Sequence, residues 1–240
     1  MAGYRMERTT KNTSLPDSKN KPIYIGVNGL LKIPTAYAAV NDSAPTTYDG
    51  VFPELFYGFY AGSYGIDIGL IFRNQQWQVF AQSPNALDGT TYAQETLLSA
   101  LAPDNVVEIK SYLGTTNKLH LDIIKGGTTV KNFVVTLKSA AYTAFKAGSY
   151  INREMNVVTN RTGKYLFTGA YFINAHWYNC TLTTTSYSYI KWDNTFGDVI
   201  INKDQDGEIW DRSLISHSAS MENGFVKDIA SIDFRKYKTT

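Results

Sequence analysis

YGIDIGLIFRNQQWQVFAQ, residues 64–82, is the stretch that decides the fold. Ile66, Ile68, Leu70 and Phe72 fall on one side of an extended chain, with Asp67, Gly69, Ile71 and Arg73 between them. Apolar side chains at every second residue mark a strand with one buried face. Trp77, Val79 and Ala81 resume the alternation after Asn74-Gln75, which predicts a hairpin turning at that pair.

The same pattern extends outward. PIYIGVNGLLKIP (22–34) alternates, and VVEIKSYLG (106–114), KLHLDIIKGG (118–127) and VKNFVVTLK (130–138) form a meander with turns at GTTN and GGTT. AYTAFKAG (141–148) is the one helical stretch, with Gly148 as its cap. INREMNVVTN, YLFTGAYFINAHWYNCTLTT, YSYIKWD, GDVIINKDQDGEIWD and FVKDIASIDFRKY supply further strands. Short strands at this spacing, without helices to make βαβ units, predict an all-β, two-sheet antiparallel β-sandwich of jelly-roll type. Residues 1–21 are polar and read as a loose N-terminal arm, leaving 22–240 as a single sandwich domain.

Bulk composition agrees. A chain of 240 residues is long enough to bury a core without disulfide or metal. The 17 Tyr, 12 Phe and 4 Trp suit pleated, half-buried surfaces. The net charge of +2 is spread along the chain and forms no basic stripe, which argues against nucleic acid as a partner. No apolar run approaches the roughly 18 residues of a transmembrane segment, and the polar start shows no signal peptide. Cys180 has no second cysteine to pair with and reads as a small buried hydrophobe.

Three constellations could carry function. The first is aromatic: Tyr57, Tyr60, Tyr64, Trp77, Trp177, Tyr178, Tyr187, Tyr189, Trp192 and Trp210 stand beside small and polar residues. Sugar rings pack their C–H faces on aromatic planes while Asn, Asp or Arg binds their hydroxyls. The expected ligand-binding set is therefore Trp177, Tyr178, Asn179, Tyr189, Trp192, Asp193, Tyr64 and Arg73, and the alternative is that these rings fill the core. The second is NKDQDGEIWD, where Asn202, Asp204 and Asp206 follow the spacing of the front half of a calcium loop. Ser213 stands where the closing Glu belongs, and a hairpin turning at Asp206-Gly207 explains the stretch as well. No other cofactor is expected. Glu154 beside Arg153 is an acid/base candidate or a surface ion pair.

The third constellation is FKAGSYIN (145–152), which resembles the Tyr-Phe-Lys-x-Gly-x-Tyr-x-Gln strand of alginate-lyase-type polysaccharide lyases, concanavalin A-like jelly rolls. The resemblance implies Tyr150 as proton donor, with Lys146 at the motif lysine and Asn152 in place of the motif Gln; Arg153 or Lys146 would stabilise charge. A broader pattern over residues 50–195 is similar to small secreted bacterial sandwiches of the YrpD type, which implies an exported protein. From these readings we expect a non-enzymatic recognition domain whose partner is a glycan or other cell-surface ligand. The alternatives are a polysaccharide-cleaving enzyme and a toxin-like or structural interaction protein.

Overall fold

The computed structural model describes residues 2–11, 21–40, 50–97, 100–159, 169–195, 199–204 and 211–236. The architecture is the expected one: two antiparallel sheets packed face to face, with one α-helix.

The first sheet contains β1 (Ala2–Thr9), β4 (Ala39–Val40), β5 (Gly50–Ala61), β6 (Tyr64–Arg73), β7 (Gln76–Gln82), β8 (Tyr92–Thr96), β12 (Tyr150–Thr159) and β15 (Val199–Asp204). Its spatial order is β15-β1-β12-β5-β6-β7-β8, with β4 against β5. The second contains β2 (Tyr24–Lys32), β3 (Thr35–Tyr37), β9 (Val106–Leu113), β10 (Lys118–Lys125), β11 (Thr128–Thr136), β13 (Tyr171–Thr184), β14 (Tyr189–Lys191), β16 (Ile215–Glu222) and β17 (Phe225–Asp233). Its order is β11-β10-β9-β2-β13-β17-β16, with β3 and β14 against β13.

Local chemistry accounts for the turns. Arg73 pairs with Gln76 around Asn74 and Gln75, whose φ values of 51° and 57° make the two-residue left-handed turn that suits strand twist. Gly126-Gly127 closes β10–β11 and Asn223-Gly224 closes β16–β17 in the same way. Helix α1 (Ser139–Ala147) buries Ala141 and Phe145, and ends where Gly148 adopts φ 124°.

The largest departure from expectation lies at the N-terminus. Residues 2–9, read as part of an arm, form β1 and insert between β12 and β15. Tyr4 and Met6 face the interior, but so does Arg8, and that cation disguises the apolar alternation. Arg8 donates from Nε and Nη2 to the Asp228 carboxylate at 2.6 and 2.8 Å. Arg153 and His217 also bond this carboxylate, so a charged cluster ties the two sheets together inside the sandwich. Around it packs an apolar layer that includes Tyr57, Phe59, Phe172, Trp177 and Trp192. Burying each such ring is worth about 1.5–3 kcal/mol.

Candidate functional site

Antiparallel register sets the groups of the first sheet's outer face in rows. Arg5, Asn156, Glu54, Ile71 and Gln78 form one row across β1, β12, β5, β6 and β7. Glu7, Glu154, Phe56, Gly69 and Phe80 form the next, and Thr9, Asn152, Gly58, Asp67 and Gln82 the third. Alternation turns the neighbours of these residues (Met6, Arg8, Arg153, Met155, Leu55, Tyr57) inward. A face that a plain sandwich would give to scattered surface polar groups thus carries four acids within three rows.

Two of these acids, Glu7 and Glu154, line a hollow of about 660 Å³, bounded also by Arg5, Thr9, Lys11, Tyr60, Tyr150 and Asn152. Glu7 and Glu154 sit directly opposite each other on β1 and β12, and both are buried. The Asn152 amide bridges them, donating from Nδ2 to Glu7 Oε1 at 2.7 Å and to Glu154 Oε1 at 3.5 Å. Asn156 Nδ2 donates to the other Glu154 oxygen at 3.1 Å, and Arg5 lies 3.6 Å from Glu7.

The electrostatics raise three groups on this face. Burial, then the charges of Asp67 and Glu7, pushes Glu154 up to about 8, against the weaker pull of Asn156 and Arg5. Its carboxyl therefore carries a proton at neutral pH. Burial also drives Glu54 well above the usual carboxylate range, helped by Asp67 and Glu154. The Tyr60 phenol, which donates to Asp67 at 2.7 Å, is likewise raised by burial and by Asp67. Among the described residues no three His, Cys, Asp or Glu side chains converge as a metal site would require.

The residues expected from sequence are scattered. Tyr150 lines this hollow, with Lys11 5.9 Å from its ring centre. Arg153, three residues on, faces inward, where its guanidinium bonds Asp228 and Cys180. It forms no surface pair with Glu154. Lys146 lies exposed on α1, so Tyr150, Lys146 and Arg153 do not converge. Arg73 lies at the β6 end and bonds Gln94 at 3.3 Å, and half-buried Tyr64 borders a side hollow. On the second sheet, Tyr178 and Asn179 are half-buried and Tyr189 is exposed, while Asp193 caps Thr195 beyond β14. Asn202 and Asp204 close β15, whereas Asp206 and Trp210 lie outside the described residues.

The recognition-domain reading is corrected on two findings. Trp77, Trp177 and Trp192 are 4%, 0% and 0% exposed, so the described tryptophans expected as flat platforms on a sheet face are sealed in the core. Trp177 donates its Nε1 to Tyr57 at 2.9 Å, and the Trp192 ring lies under the Arg153 guanidinium. The second finding comes from comparison with known proteins. No protein-family model matches the chain, and no curated protein does. Among solved structures, Scytalido-glutamic peptidase with a peptide-based transition state analog matches at TM-score 0.55 and 10% identity, covering 97% of this chain and 100% of that one. The chain shares its fold with a peptidase. A second structure of that enzyme, with a transition state analog inhibitor, matches at TM-score 0.51 and 8% identity over 96% of this chain and 97% of that one. An alginate lyase from Klebsiella pneumoniae matches at TM-score 0.38 and 15% identity, covering 64% of this chain and 59% of that one. The two peptidase matches share the β-sandwich, and a fold that serves an enzyme there removes the ground for expecting a non-enzymatic binding domain here. No described helix is long and apolar enough to cross a membrane.

Sequence reasoning named Glu154 but gave it the wrong neighbour; it met Asn152 only in place of a motif Gln, and passed over Glu7 and Asn156 as site groups. The available signal was spacing: Asn152, Glu154 and Asn156 share one face of a strand, opposite Arg5 and Glu7 in a second alternating run.

Proposed function

We propose that this chain is a carboxyl-dependent hydrolase that cleaves peptide bonds in the hollow on its first sheet. The observation that carries the reading is the pair of opposed carboxyls, Glu7 and Glu154, bridged by one amide, with Glu154 held in its protonated form. A protonated Glu154 opposite a Glu7 that faces the Arg5 guanidinium makes an acid and a base at one pH. Glu7, ion-paired with Arg5, takes the proton of the attacking water. Glu154 delivers its proton to the departing amine, and Asn152 holds the two in register. The choice of a peptide bond follows the analogy of a fold shared with a peptidase.

The test is digestion of unfolded casein followed by mass spectrometry between pH 3 and 10. Glu154→Gln and Glu7→Gln should each lower kcat by about 10²–10⁴-fold. The wild-type rate should fall as pH rises through about 8, where Glu154 loses its proton. Undiminished cleavage by both variants, or no cleavage at any pH, overturns the reading. Tyr150 in the same hollow favours a second one, polysaccharide elimination, which predicts an unsaturated product absorbing in the ultraviolet. The opposed carboxyls carry the argument, so the peptide reading stands first.

A further inference from the structure

A second hollow, of about 410 Å³, adjoins the first and shares Tyr60 and Gly62 with it. Tyr60 forms the partition. A Cβ on Gly58 would stand 2.5 Å from the Tyr60 ring, and one on Gly65 would stand 2.9 Å from it, so the ring lies close over both glycines. Its hydroxyl reaches along the sheet to Asp67. Tyr64, Gln82, Pro84 and Asn85 complete the wall, and Asp67 is the one charged group in the described lining. Hydrogen bonds brace the rim: Ser83 Oγ donates to the Gly65 carbonyl at 2.6 Å and Asn85 Nδ2 to that of Ser63 at 2.5 Å.

We propose that this side hollow is a specificity subsite that accepts a lysine or arginine side chain of the substrate, with its stem along the Tyr60 and Tyr64 rings and its cation on Asp67. The inference rests on the peptide-hydrolase reading of the neighbouring hollow and deepens it. A long basic side chain offers an apolar stem to ring faces and a charged head to a carboxylate. An acidic side chain would meet Asp67 as a like charge, and a short one would leave the hollow unfilled. The partition is shared, so a chain with its scissile bond at Glu154 can place a flanking side chain across Tyr60.

The experiment is calorimetric titration of the full chain carrying Glu154→Gln, so that no cleavage intervenes. The probes are an alanine nonapeptide with a central lysine and the same peptide with norleucine there. The lysine peptide should bind at least about tenfold tighter, with the ratio shrinking as salt rises. Adding Asp67→Asn should bring the ratio to about one. Gln82→Lys, which sets a cation across the strand pair from Asp67, should do the same and serves as the check if the first variant misfolds. Equal affinities for the two peptides, binding of neither, or a lysine preference that survives both substitutions overturns the inference. Lysine preference without casein cleavage sinks only the hydrolase reading, and cleavage without lysine preference sinks only this subsite.

Discussion

Glu154 and Asp228 are both carboxyls nearly closed off from solvent, and their environments drive them in opposite directions. Glu154 faces the hollow, where its strongest electrostatic neighbours are the acids Asp67 and Glu7, and it is pushed up to about 8. Asp228 lies in the interior, where Arg153, Arg8 and His217 surround it and hold it far below the ordinary range despite its burial. Desolvation acts alike on both, so burial alone does not decide protonation; the sign of the neighbours does. Adjacent residues of β12 take part in both regions, Arg153 inward and Glu154 outward.

The largest break of this contrast is Asp228→Asn. It leaves two buried guanidiniums with half a partner, and should cost about 3–5 kcal/mol in denaturant titration. A loss under about 1 kcal/mol would mean that the interior cluster is hydrated and the contrast false. With Asp228 intact, its depressed titration contributes stability above the unfolded value near 3.9 that is lost as pH falls below it. Glu154 runs the other way. The folded state keeps its proton to about 8 while the unfolded chain releases it near 4.3, so Glu154 lowers stability as pH rises through that window. Glu154→Gln should therefore change stability by less than about 1 kcal/mol near pH 5 and flatten this fall in melts from pH 5 to 9. A variant with the wild-type slope would place the effect elsewhere.

Smaller effects sharpen the comparison. Asp67→Asn removes the leading charge that raises Glu154, so the alkaline limb of the rate profile should move to lower pH. Tyr189→Ser acts on a ring that is 78% exposed and belongs to neither region; it should shift the unfolding midpoint by no more than about 0.5 kcal/mol.

The fold was legible in particular segments. The 64–82 hairpin, the 106–138 meander and the helix before Gly148 stand where local pattern put them, because period-two alternation and left-handed turn residues act over a few residues. β1 was hidden because Arg8 occupies an inward position, and its partner Asp228 is 220 residues away. The candidate site was half legible. Glu154 stood out as an acid on a strand, but the row that sets it opposite Glu7 comes from pairing β12 with the N-terminal strand. The tryptophans misled for a related reason. Trp177 and Trp192 sit among polar residues in the chain, and only packing between the sheets seals them.

By itself the amino-acid order determined the strands other than β1, their turns and the two-layer architecture, since each depends on neighbours a few residues apart. Tertiary structure alone decided which carboxyls meet amides and which meet guanidiniums. Sheet pairing brings together residues more than a hundred positions apart, and protonation of a buried acid depends on what lies within a few ångströms of it.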